Sequence, residues 1–285
     1  MSKRNMLLGL AAGKVGDLVF YRDGGEQRTR TRVIPKNPRS LRQMSQRVKI
    51  ANVSATYRAL KSILSESFAN RPSNQSGYNA FAKDAIVISP YLRSEMVKAG
   101  GCAPAPYTIS RGTLQRVFGA LDSFADVSRI TLPVNGLVAD GATIGSISSA
   151  IINQFPSIQN GDKVVFVLLQ FNLYQTGGVD VPMIDYQSVV TVEIDTTSTS
   201  SLLPSNLIVE DDTLAVAGTD TNAATAGAVF VSRVDGNGQL DVSPSVLELN
   251  ENAFSMYEDY TSDNAKYNAV ESYGVGSQSL LRETD

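Results

Sequence analysis

Three arginines at alternate positions, Arg28, Arg30 and Arg32, stand in the stretch QRTRTRVI over residues 27–34. In a strand, successive side chains point to opposite faces. The three guanidiniums would therefore project from one side, with Thr29, Thr31 and Val33 on the other. Their spacing would be about 6.8 Å, two residues of strand rise. Cations held that close repel one another unless something anionic lies across them. The anion is either a phosphate backbone or a set of carboxylates from elsewhere in the chain, and phosphate is the favoured reading. Lys36, Arg39, Arg42, Arg47 and Lys49 follow closely and complete the candidate nucleic-acid contacts.

The charge pattern around these residues points the same way. Residues 1–100 carry 18 Lys/Arg against 6 Asp/Glu, residues 101–150 carry 3 of each, and residues 151–285 carry 4 against 19. The overall charge of −3 hides both halves. Sequence-independent phosphate binding needs clustered cations that displace condensed counterions, and the first hundred residues supply them. The alternative is a basic surface that is simply solvated.

Other chemistry is poorly provided for. The chain has no His, which removes Ser-His-Asp and Cys-His nucleophile systems and most catalytic zinc sites. No dinucleotide fingerprint and no P-loop is present; Gly9-Leu-Ala-Ala-Gly13-Lys14-Val15 lacks the P-loop spacing and the hydroxyl after the lysine. The many carboxylates of the second half read as solvated surface. An enzyme is not expected, nor a cofactor or a metal. The single Cys102 allows no intrachain disulfide. No stretch approaches the roughly 20 apolar residues of a membrane span. The opening MSKRNMLLGLAAGK imitates a signal peptide, but its apolar run is short, contains Gly9 and leads directly into a patterned strand, so it reads as mature sequence.

The elements that must position the cations follow from periodicity. Lys14–Tyr21 reads as one strand, Arg22–Glu26 as a turn and residues 27–34 as the second strand of a hairpin. Pro35 and Pro38 break it. With Asn37 or Ser40 as N-cap, a helix begins at Leu41 whose stripe of Leu41, Met44, Val48, Ala51 and Ala55 continues through Leu60, Ile63 and Leu64. Arg42, Gln43, Gln46, Arg47 and Lys49 cluster in its first turns, where cations oppose the macrodipole unless an external anion is present. A second helix is expected after Pro72-Ser73-Asn74, with Tyr78, Phe81, Ala82 and Ala85 inward.

Beyond the Pro-rich stretch 99–107 the pattern turns to short strands: 128–133, 163–174, 187–195, 207–209, 213–216, 228–234 and 246–249. Turn clusters separate them, and residues 142–152 read as an inserted helix. The fold class expected is α+β. A basic hairpin-and-helix module (1–100) and a connector (101–127) precede an antiparallel β-sandwich of jelly-roll or Ig-like type (128–250). An acidic, Tyr-rich arm (251–285) follows, extended and packed on a neighbour or on its own sandwich.

The N-terminal block Gly13-Lys14-Val15-Gly16-Asp17-Leu18-Val19-Phe20-Tyr21, the arginine-rich strand, and Asn37-Pro38-Arg39-Ser40 with Gln43, Gln46 and Arg47 resemble an uncharacterised family of gut-bacterial and phage-encoded proteins. Gly161–Phe166 and the hairpin region Ala228–Ser243 are similar to that family's C-terminal sandwich. The resemblance implies a mobile-element or virion setting and brings no activity, ligand or active site with it.

The function expected is that of a virion structural protein, most simply a capsid subunit. Its basic module would face packaged nucleic acid and its sandwich would form shell contacts. Its partners would be other copies of itself in a large homo-oligomer, the nucleic acid, and other virion proteins, in the virion and in the host cytoplasm during assembly. A sequence-independent nucleoid or plasmid-associated binding protein is the alternative, and a surface or fibre-like interaction module is the third reading.

Overall fold

The computed structural model describes residues 13–23, 26–33, 40–65, 67–69, 71–72, 75–124 and 126–274. The chain divides into two units, Met1–Arg39 and Ser40–Asp285.

In the first unit β1 (Gly13–Val15), β2 (Leu18–Asp23) and β3 (Glu26–Thr31) form an antiparallel meander in that order. The stretch 14–21, expected as one strand, reverses at Gly16-Asp17. Gly16 takes a φ of 57°, a conformation that glycine adopts without a Cβ penalty. Arg32 lies just past β3, and its N–H donates to the Asp17 carbonyl at 2.6 Å, which ties the third strand to the first turn. The expected turn glycines Gly24 and Gly25 lie outside the described residues.

The second unit opens with α1 (Leu41–Ala59), α2 (Lys61–Leu64), α3 (Gly77–Ile88) and α4 (Ser94–Lys98). Ser40 caps α1, its hydroxyl accepting the Gln43 N–H. Then come β4 (Thr108–Ser110), β5 (Ala120–Phe124), β6 (Val127–Pro133), α5 (Ile144–Gln154), β7 (Lys163–Thr176) and β8 (Val179–Glu193). The last elements are β9 (Leu207–Glu210), β10 (Thr213–Ala217), β11 (Ala224–Val234), β12 (Leu240–Val242), β13 (Ser245–Val246), β14 (Glu248–Leu249), α6 (Glu251–Thr261) and α7 (Asp263–Ser272).

One sheet runs β5-β6-β10-β9. A larger one runs β12-β11-β7-β8, with β14 also on β11, and β13 pairs with β4 in a small two-stranded sheet. All the pairings are antiparallel. The first two sheets face each other through Val164, Phe166 and Leu168 of β7, Val229 and Val231 of β11, and Ile130, Leu132, Leu214 and Val216 opposite; Ile147 and Ile151 of α5 join them.

The alternate residues of the same strands, Val165, Val167, Leu169, Phe171, Ala226, Ala228 and Phe230, are buried against Val53, Leu64 and Phe81 of the helices and Leu60 between α1 and α2. The larger sheet is thus covered on both faces, giving helices, sheet and sheet in three layers. That is why KVVFVLLQF reads as a continuous apolar run and not as an alternation.

The helices therefore share a core with the sheet, and the boundary expected near residue 100 falls inside the second unit. The α+β class stands, with the helices as a third layer on the sandwich. The arm expected to be extended is helical up to Ser272. Asn250 and Ser262 cap α6 and α7, and Ala253, Ala269 and Val270 are buried. Val270 and Ala269 pack on Met44 and Val48 of α1, so this part of the tail is covered within its own chain, while Phe254 and Tyr267 stay exposed. Tyr257 donates its O–H to the Ile88 carbonyl at 3.2 Å. Leu280 and Leu281 lie outside the described residues.

Candidate nucleic-acid interface

The meander brings together residues that lie far apart in sequence order. Lys14 stands opposite Val19 and Val19 opposite Arg30; Tyr21 stands opposite Arg28. Directly opposed residues project from the same side of a sheet, so Lys14, Val19, Tyr21, Arg28 and Arg30 share one face. Lys14, Arg28 and Arg30 are exposed. Arg28 and Arg30 are about 6.8 Å apart along β3, and Lys14 is about 9.6 Å across two strand spacings from Arg30. These separations are near the screening length of about 8 Å at physiological ionic strength, so the fields of the cations add.

The Arg30 guanidinium carbon lies 5.7 Å from the centre of the Tyr21 ring, which supports it from one side. Glu26 shares the parity of Arg28 and closes the face at the hairpin end. The opposite face holds Val15, Leu18, Phe20, Thr29 and Thr31.

Of the cations read from the sequence, Arg28 and Arg30 keep the ladder as drawn. Arg32 is exposed but follows the strand, with its backbone held by Asp17. Lys36 and Arg39 lie outside the described residues. Arg42 and Arg47 are exposed on α1, in the second unit, and an Arg47 nitrogen approaches the Met44 sulfur at 3.8 Å.

Lys49 is used differently from the expectation. Its ammonium donates to the Val87 carbonyl at 3.1 Å and lies 5.4 Å from the centre of the Tyr91 ring. Those contacts join α1 to the end of α3 and the segment after it, which makes Lys49 a tether between elements. Lys14 is the cation that the sequence reading missed. Once the reversal at Gly16-Asp17 is recognised, the register puts Lys14 on the face of Arg30.

Other arginines are held internally. Arg233 grips the buried carboxylate of Asp162 with two N–H groups, at 2.7 and 2.6 Å, and also donates to the Ser157 carbonyl. Arg129 bridges Asp122 at 3.2 Å and Glu210 at 2.6 Å, with its guanidinium over the Phe124 ring. Burial opposes the charge of Arg129, but these two carboxylates outweigh it and hold its pKa above the ordinary value.

Among the described residues no cluster of three or more His, Cys, Asp or Glu is placed to hold a metal ion. Among the same residues no helix is long and apolar enough to cross a membrane. No protein-family model, curated protein or solved structure matches the chain.

Proposed function

We propose that the protein is a structural subunit of a bacteriophage virion, most simply a capsid subunit. Its first unit lies against packaged nucleic acid, and its layered body makes the contacts between subunits. The observation that supports this reading is the segregation of charge by unit. Residues 1–39 hold 9 Lys/Arg against 3 Asp/Glu, whereas residues 40–285 hold 16 against 25. Within the first unit, Lys14, Arg28 and Arg30 are gathered on one side of a small sheet. Contacts of that kind read phosphates and not bases, as packaging a whole genome requires. An acidic body keeps dense assemblies soluble and repels the same nucleic acid.

Sizing the purified full chain by multi-angle light scattering, before and after nuclease treatment, tests the reading. Discrete particles of many subunits, carrying nucleic acid that nuclease cannot remove, are the expected result. A small species that grows only on added nucleic acid, and returns to its starting size on digestion, would favour a nucleoid-type binding protein instead.

A further inference from the structure

The hairpin of β7 and β8 is longer than the sheet it belongs to. The two strands pair along their whole length, from Lys163 opposite Glu193 to Thr176 opposite Val179. The neighbour of β7 on its other side, β11, covers it only as far as Phe171, which stands opposite Ala224. From Asn172 onward β7 has no strand on its outer edge among the described residues. Burial changes at the same place: Val164 to Phe171 are buried without a break, and all residues from Asn172 to Gly178 are exposed. A two-stranded ribbon of this kind is at best marginally stable in water. This one nevertheless carries Leu173 at 51 % and Tyr174 at 42 % exposure.

The two edges of the ribbon are treated differently. On the β8 side, Pro182 lacks the N–H that an added strand would need, a device that keeps an edge from recruiting other strands. The Pro182 carbonyl is already occupied by the Cys102 N–H at 2.7 Å, and Val181 is buried with Leu92, Met96 and Ala103. On the β7 side the sequence is Asn172-Leu173-Tyr174-Gln175-Thr176, which has no charge, no proline and good strand formers. The nearby carboxylates are drawn inward across the ribbon, Asp185 by Asn172 and Tyr174, and Asp180 by Gln175.

From this asymmetry we infer that the outer edge of residues 172–176 pairs with the same segment of a second copy. The two segments lie antiparallel about a two-fold axis near Tyr174, as a continuation of the larger sheet across two subunits. The occupant is a second copy because residues 40–285 are net acidic, 16 Lys/Arg against 25 Asp/Glu, while the strip 172–176 itself carries no charge that two copies would have to oppose. A partner chosen by charge would find nothing there to recognise. Like-with-like pairing is self-complementary, as a two-fold interface must be. It places Leu173 of each copy against Gln175 of the other, and it gives the exposed N–H and C=O groups of both edges their partners.

The pairing deepens the subunit-contact part of the function proposed above and is tested separately from it. Residues directly opposed in an antiparallel pair have Cα atoms about 4.5–5.5 Å apart, within disulfide reach. Single cysteines at each position from 172 to 176 in the full chain are oxidised mildly and run on a non-reducing gel; the native Cys102 is buried and does not compete. Tyr174→Cys is expected to give a covalent dimer, and Thr176→Cys, which faces Asn172 of the other copy, is not. Strongest linkage at Leu173→Cys or Gln175→Cys would shift the axis by one residue and retain the pairing. No linkage at any of the five positions overturns it.

In parallel, Leu173→Lys with Gln175→Lys should raise the dimer dissociation constant at least tenfold without moving the thermal transition of the monomer, because both sites are exposed. An unchanged dissociation constant also overturns the pairing. Particles that form without ribbon linkage would remove this interface and leave the virion reading intact. A linked dimer that never grows further would do the reverse.

Discussion

Arg30 and Tyr21 lie on adjacent strands one diagonal step apart, and the guanidinium carbon of the first stands 5.7 Å from the ring centre of the second. The ring supports the arginine on the face of the meander that it shares with Lys14 and Arg28. It also offers an apolar surface beside the cations on which an unpaired base could stack.

Tyr21→Leu keeps strand propensity and bulk but removes the ring. Nucleic-acid affinity should fall about two- to fivefold, the size of an exposed cation–π contact of about 0.5–1 kcal/mol. The salt dependence should stay unchanged, because no phosphate contact is lost. A change in the salt slope for this variant would show that Tyr21 holds the arginine ladder in place and does not merely support one member of it.

Val48 is fully buried where α1 meets α7, beside Met44, Ala269 and Val270. Val48→Asp places an unpaired carboxylate there and should cost several kcal/mol, enough to unfold or aggregate the second unit. Val48→Ala should cost about 1–3 kcal/mol by the loss of apolar burial. Truncation after Asn250 uncovers the same surface and should lower the midpoint of chemical denaturation as well. A truncated chain with an unchanged midpoint would show that α7 contributes nothing to the α1 core.

Asp162 keeps 2 % of its side-chain surface, and Arg233 is its bidentate partner. Arg233→Met leaves the carboxylate buried with the Gln159 N–H as its remaining partner, at 2.8 Å. A loss of about 3 kcal/mol is expected, at the low end for a broken buried pair because Arg233 retains a quarter of its exposure. Adding Asp162→Asn should return much of that stability in urea denaturation. If the double variant is no more stable than the single one, the cost of Arg233→Met comes from lost packing and not from the stranded charge.

Asp241 holds Thr113 through both the N–H and the hydroxyl of that residue, and it also accepts the Val242 N–H. Partial burial works to raise its pKa, but these hydrogen bonds and the charge of Arg233 outweigh it and bring the carboxyl below its ordinary value. With the folded value below the unfolded one, the stabilisation is present above about pH 4 and is lost as pH falls through the folded value. Asp241→Asn should therefore be less stable than the parent at pH 6, and the gap should narrow as pH falls below about 4 and close once the folded carboxyl is protonated. A gap that does not change with pH would assign the difference to geometry alone.

Much of the body was legible because its signals are local. The run KVVFVLLQF, the Ser40 cap and the stripe through Val48 and Leu64 each carry their element in a few residues. The first half of β8 was hidden by Pro182 and two aspartates, which suit an edge strand and obscure its pattern. The helices of the tail were masked by their acids, although Ala253, Met256, Tyr257 and Tyr260 recur at helical spacing. At the candidate site the alternation of Arg28 and Arg30 could be read directly. Lys14 could not, because its place depends on a two-residue reversal that a continuous strand pattern conceals. The contact of Lys49 with the Val87 carbonyl could not be read either, because composition marks a cation but not the carbonyl it will meet.

The central claim is that one face of the meander neutralises phosphates, and salt dependence measures this most directly. Replacing Lys14, Arg28, Arg30 and Arg32 with Gln in the full chain should lower affinity to a similar degree for all sequences tested. It should also reduce the slope of log K against log salt by up to about 4, near one per lost phosphate contact. A quadruple variant that folds as the parent does and binds with an unchanged slope would show that these cations serve protein carboxylates, and the account would fail.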